Sequence, residues 1–137
     1  MNDAVHELCQ NEVHRGTLEA AAAGPGERIV QAEGRNPLCG DAVTFYLRIA
    51  PKRSDSAPVV AQAAWDGYAC LLCRASAEAA ARLIEGQPVA KGCEPPLSHV
   101  LHELGDIQPK RSRERCVRLP LDTCKEAVHE YFRSQDR

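Results

Sequence analysis

The stretch Asn36-Pro37-Leu38-Cys39-Gly40-Asp41-Ala42-Val43-Thr44-Phe45-Tyr46-Leu47-Arg48-Ile49-Ala50 joins a tight turn to a cleanly alternating run. Val43, Phe45, Leu47 and Ile49 fall on one side and Thr44, Tyr46 and Arg48 on the other, the period-two pattern of a half-buried strand. Upstream, Glu27 to Glu33 reads as a short strand, reversed by the turn Gly34-Arg35-Asn36-Pro37. Downstream, Pro51 to Pro58 is a charged, Ser-rich loop, and Val59 to Trp65 supplies a third strand ending at Asp66-Gly67. Three short strands in succession favour an antiparallel meander.

From Cys70 the period changes. Leu72, Ala79, Ala80, Leu83 and Ile84 recur at helical spacing within an Ala-rich run, and Gly86 and Pro88 stop it. Leu97 to Leu104 reads as a short helix closed by Gly105, after a loop from Lys91 to Pro96. Leu121 to Phe132 reads as a last amphipathic helix, with Cys124, Val128, Tyr131 and Phe132 inward. At the other end, Asp3 caps a first helix whose apolar face is Val5, Leu8, Cys9 and Val13, closed by Gly16; His6 and His14 face solvent. Leu18 to Gly26 is an Ala- and Gly-rich connection. The expected class is α+β: a three-stranded antiparallel sheet with helices packed on one side, in one domain spanning residues 1–137.

The net charge of −2, with two Phe, three Tyr and one Trp, gives no general argument for nucleic-acid binding. From Pro109 onward eight Lys/Arg stand against five Asp/Glu, a local +3 that leaves −5 for the rest. A solvated helix face accounts for that asymmetry more simply than a docking surface for an acidic partner. The seven cysteines, an odd number, come without an apolar leader or a long apolar span. That pattern predicts a cytoplasmic protein with reduced thiols, where clustered Cys means metal or catalysis rather than disulfides, and no membrane association.

Cys39 and Asp41, two apart at the start of an extended run, can present a thiolate and a carboxylate to one metal. Cys70 opens the long helix, and Cys116 follows Arg111 to Arg115 just before the final helix, so all three thiols sit at element ends. Such ends can converge at one edge of a sheet, whereas structural cysteines more often lie within an element.

Asn-Pro-Leu-Cys39-Gly-Asp41 before an alternating strand, then Trp-Asp-Gly-Tyr-Ala-Cys70, then Arg-Cys116-Val-Arg-Leu-Pro-Leu, resembles the U-type iron–sulfur scaffold family, which comprises IscU, SufU and the N-terminal part of NifU. The resemblance runs from the first helix to Phe132 and implies a SufE/NifU-like fold with Cys39, Asp41, Cys70 and Cys116 as ligands. It implies zinc, or iron and a transient [2Fe-2S] cluster, at those four residues, and sulfur acceptance at Cys39 or Cys116. The implied partners are a cysteine desulfurase and iron–sulfur acceptor proteins; the expected protein is a monomer or weak dimer and a sulfur carrier with no small substrate of its own to turn over. Only a thiolate attacks a persulfide, and a helix start at Cys70 and the nearby Arg74, Arg113 and Arg115 favour an anion. A carboxylate matches a sulfur-rich cluster less well than a thiolate, so Asp41 should leave an exchangeable position.

The chain departs from the family in three places. IscU-type members carry His where this chain has Arg115, which cannot ligate a metal at ordinary pH, so SufU is closer there, as it is at Leu104-Gly-Asp-Ile107. The step from Cys70 to Cys116 is nevertheless shorter than in SufU members, and no Leu-Pro-Pro-Val-Lys segment precedes Cys116. Cys73 replaces a small polar residue. Cys70-x-x-Cys73 at a helix start also describes a thiol–disulfide redox site, the competing reading from another class, although no βαβ unit accompanies it. A purely structural zinc-binding interaction domain would use the same four ligands. Cys93 in its Gly-Cys-Glu-Pro-Pro loop and Cys124 read as structural, and His99 and His102 as solvated.

Overall fold

The alternation from Val43 to Ile49 becomes the middle of a three-stranded sheet. In the computed structural model, which describes residues 3–38, 40–51, 58–89 and 95–135, strand β2 (Asp41–Ala50) pairs antiparallel with β1 (Arg28–Asn36) on one side and β3 (Val59–Tyr68) on the other. Around the strands the chain forms α1 (Asp3–Gln10), a 3-10 turn at Ala20–Ala22, α2 (Leu71–Ile84), α3 (Leu97–Glu103) and α4 (Arg111–Gln135). Most of the Pro51–Pro58 loop, the start of the Lys91–Pro96 loop and Cys93 lie outside the described residues.

Val43, Phe45, Leu47 and Ile49 are buried under the helices while Thr44, Tyr46 and Arg48 are half-exposed, so the period-two reading gives the core face directly. Each of these large side chains contributes about 1.5–3 kcal/mol by leaving water. The helix α2 is buried almost all round, from Leu72 and Cys73 through Ala75–Ala81 to Ile84, because it touches β3 and is flanked by α1, α3 and α4. Its alanines therefore do more than favour helix: with no side chain beyond Cβ, they let several neighbours approach one cylinder.

Three boundaries differ from the sequence reading. β1 continues through Gly34 to Asn36, paired with Val43 down to Asp41, so the reversal is Pro37 to Gly40. Gly34 is a packing glycine: a Cβ there would overlap Thr123 Oγ1, and its absence lets α4 lie on β1. The last helix starts at Arg111, ten residues before Leu121, and runs through Pro120. Pro120 removes the N–H that would reach the Cys116 carbonyl; nearby, the Ser76 hydroxyl donates to Val117 O at 2.7 Å and Thr123 Oγ1 to Leu119 O at 2.7 Å, so the carbonyls beside the interruption keep donors.

The first helix ends at Gln10 and leaves Val13 74% exposed, against the expectation of one helical face reaching it. The segment after it runs along β3 instead, with Trp65 N donating to His14 O at 3.0 Å and Gly16 N to Trp65 O at 2.7 Å. Nor is His14 solvated. Its Nδ1 lies 2.7 Å from Glu78 Oε2 and its Nε2 3.2 Å from Glu85 Oε1.

Candidate metal centre

The site is built where the β1–β2 turn, the end of β3 and two helices meet. The turn is set locally: Leu38 N donates to Asn36 Oδ1 at 3.1 Å, Gly40 N donates to Asn36 O at 2.9 Å, and Gly40 takes φ +77°, a conformation that glycine adopts without the Cβ clash. Asp41 then starts β2 with its side chain on the buried side, in step with Val43 and Phe45. Gly40 thus serves the turn's backbone, since a Cβ there would meet nothing within 4 Å.

Cys70 follows β3 and is the N-cap of α2, its Sγ accepting from Cys73 N at 3.4 Å. Its own N–H donates to Asp41 Oδ1 at 3.0 Å, and its Sγ lies 3.6 Å from Asp41 Oδ2. Cys116 reaches the same place from α4. One carboxylate oxygen of Asp41 and the sulfurs of Cys70 and Cys116 all lie within 4.8 Å of one another; Asp41 and Cys116 are buried and Cys70 partly exposed. Two thiolates on one tetrahedral zinc, with Zn–S of about 2.3 Å, stand about 3.8 Å apart, so small side-chain adjustments would close the set on an ion. The donors suit zinc or ferrous iron, with two soft sulfurs and one hard oxygen.

Three of the four residues expected at the site are therefore together. Cys39 lies outside the described residues; its neighbours Leu38 and Gly40 are in the turn immediately before Asp41. Cys116 is not at an element end: α4 begins at Arg111, so Cys116 is on the second turn of a helix, held by that helix's packing on α2 and β1. Arg74 also differs from expectation, because its guanidinium is paired with Glu12, which raises its pKa and spends its charge on α1's side of the molecule.

The remaining cysteines separate cleanly. Cys73 and Cys124 are fully buried in the core. That burial leaves the Cys70-x-x-Cys73 redox reading without an accessible second thiol. Cys9 is partly exposed and donates from Sγ to Leu71 O at 3.2 Å; burial pushes its thiol up, with Arg74 pulling the other way. His99 and His102 are exposed, the latter 3.0 Å from Asp106.

The sequence reading missed the rim. Leu38 is 76%, Tyr68 87% and Leu71 40% exposed, and they stand three residues before Asp41, two before Cys70 and one after it. Large apolar side chains in water, close in sequence to the candidate ligands, were visible only as turn and cap positions. Outside the rim no helix among the described residues is long and apolar enough to cross a membrane.

The family model described as the NifU-like N terminal domain matches residues 1–137. The iron–sulfur cluster assembly scaffold protein IscU of Aquifex aeolicus is 24% identical over 102 residues, 74% of this chain and 61% of that protein, so the chain spans under two thirds of this relative's length. A proposed iron–sulfur cluster assembly scaffold for the SUF system from the thermophile Fervidobacterium islandicum superimposes with a TM-score of 0.66 at 19% identity, over 93% of this chain and 96% of that one. The N-terminal part of a nitrogen-fixing NifU-like protein from Brucella abortus gives 0.64 at 22% identity, over 93% and 91%. These two likenesses show the fold.

Proposed function

Since the chain belongs to the NifU-like N terminal domain family, we propose that it is a scaffold for iron–sulfur cluster assembly, taking persulfide sulfur and iron at a site made by Cys39, Asp41, Cys70 and Cys116. The observation that carries this reading is the meeting of Asp41, Cys70 and Cys116 from three separate elements within 4.8 Å. Zinc is the resident ion the donor set would hold, keeping thiolates in place between rounds; the cluster is cargo. The partners are a cysteine desulfurase, as sulfur donor, and the apoproteins that receive the cluster.

In sulfur transfer the thiolate of Cys39 or Cys116 attacks the outer sulfur of the donor's persulfide. A new S–S bond forms on the scaffold, the donor's S–S bond breaks, and the donor leaves as a thiolate. The protein carries sulfur rather than turning over a free small substrate. Asp41 is the hard ligand whose exchange releases the assembled cluster. The test is the metal and acid-labile sulfide content of anaerobically purified protein before and after incubation with desulfurase, cysteine, ferrous iron and a thiol reductant, which supplies the two electrons that take persulfide sulfur to sulfide. Sulfide and iron rising together support scaffolding. Zinc with persulfide but no sulfide would reassign the protein to sulfur transfer alone, and no persulfide, sulfide or change in desulfurase turnover would leave only a structural zinc domain.

A further inference from the structure

The local positive charge after Pro109 has a structural setting. Arg111, Arg113 and Arg115 are exposed on the first turns of α4, and among the described residues their guanidinium groups make no ion pair or side-chain hydrogen bond, whereas Arg118 is paired with Glu114. The three arginines line a cleft of about 600 Å³ with Asn36, Leu38, Ser112 and Cys116. The cleft therefore runs from a buried candidate ligand to open solvent, cationic along α4 and apolar at Leu38 on the turn.

We infer that this cleft is a docking surface for an acidic segment of a protein partner, which Arg111, Arg113 and Arg115 steer to Cys116. The proposal deepens the scaffold reading and rests on it for the purpose of docking. Two features favour a polypeptide carrying Asp and Glu. Guanidinium forks bind carboxylates in bidentate pairs, and three of them without internal partners can each take one without breaking an existing pair. Leu38, exposed in the same cleft, gives an apolar contact of the kind protein interfaces bury at their centre beside a charged rim. A nucleic acid would want rings to stack on, and none of the described residues lining the cleft is aromatic. The arrangement also places Arg115, which cannot be a ligand, where it can bring a partner to the ligand next to it.

The test uses the full-length, zinc-loaded protein and a fluorescein-labelled decapeptide of alternating Asp and Glu with one central Leu. Its Asn/Gln counterpart and a thymidine oligonucleotide of matched charge serve as competitors. The acidic peptide should bind, weaken about tenfold between about 50 and about 300 mM salt, and lose at least about tenfold in the triple variant Arg111→Gln, Arg113→Gln, Arg115→Gln. The double variant Lys125→Gln, Arg133→Gln, which removes two charges from the far half of α4, should bind as the parent does. Thermal melting and zinc content of each variant establish that it is folded and loaded. Equal binding of the neutral peptide, an unchanged triple variant, or preference for the oligonucleotide overturns the proposal. Sulfide loading with the desulfurase is measured separately, so loading without peptide binding sinks the docking surface alone, and peptide binding without loading sinks the scaffold reading.

Discussion

Among the described residues two buried carboxylates lie along the same helix, one at its middle and one beside its N-terminus, and they are built in opposite ways. Glu78, in the middle of α2 and fully buried, accepts from Trp65 Nε1 at 3.1 Å, His14 N at 3.1 Å, His14 Nδ1 at 2.7 Å and Arg82 Nε at 2.9 Å. Asp41, beside the helix's N-cap and 5% exposed, accepts one backbone N–H and otherwise faces thiols. The first is saturated by fixed donors and a cation, so it stitches α2 to β3 and to the segment after α1. The second is surrounded by groups that become anionic when a metal binds, so its natural counterpart is a cation from outside. A buried charge costs several kcal/mol unless paired; what pairs it tells structure from function.

The largest effect is expected at Glu78. Glu78→Ala leaves the indole N–H, the His14 donors and Arg82 without their acceptor and should cost about 3–5 kcal/mol in urea unfolding, with zinc stoichiometry of the folded fraction unchanged. If instead zinc is lost in the folded protein, the two carboxylates are not separable. Cys70→Ser should do the reverse: the N-cap is retained in kind, while zinc affinity in a competition assay falls more than about 100-fold, beyond what loss of an outer-shell contact costs. Asp41→Ala belongs with it, and should slow cluster transfer or lengthen cluster lifetime while destabilising the metal-free protein by only about 1 kcal/mol for the lost Cys70 N–H bond. Unchanged transfer kinetics would remove Asp41 from the release step.

Smaller effects sharpen the contrast. Gly34→Ala must displace Thr123 or α4 from β1 and should cost about 1–3 kcal/mol by denaturation, moving the helix that carries Cys116 and so lowering zinc affinity as well. The smallest is a pH effect. Burial works against the charged form of His14, but hydrogen bonds and charge from Glu78 and Glu85 outweigh it, and its pKa is raised. Protonated His14 thus contributes stability that is fully present below its unfolded value of about 6.5 and is lost as pH rises through the raised folded value. Parent stability should decline across that window, and His14→Gln should flatten this part of the profile; an identical slope in both proteins would deny the imidazolium its role.

What was legible follows from how local each cause is. The strand face Val43, Phe45, Leu47 and Ile49, the helix start at Cys70, and the turn that delivers Asp41 are written in neighbouring residues, and each formed as read. The length of α4 was not, because Pro120 ordinarily ends a helix and this one continues through it while packed on α2 and β1, elements remote in sequence. Nor was His14, whose partners are 64 and 71 residues away. Glu78 carried a signal that went unread: an acidic residue amid Ala75, Ala77, Ala79, Ala80 and Ala81 stands on a face too apolar to be solvated.

Residues and their near neighbours set the strand pattern, the class of fold and which side chains could serve as donors, since side-chain period, turn formers and ligand chemistry are local properties. Tertiary structure alone decided that Asp41, Cys70 and Cys116 share one place, that Arg74 is spent on Glu12 while Arg111, Arg113 and Arg115 are not, and that one buried carboxylate is closed and the other open to a cation. The reason is distance along the chain: burial and charge pairing between remote residues depend on how helices pack on the sheet, and no local pattern encodes that contact.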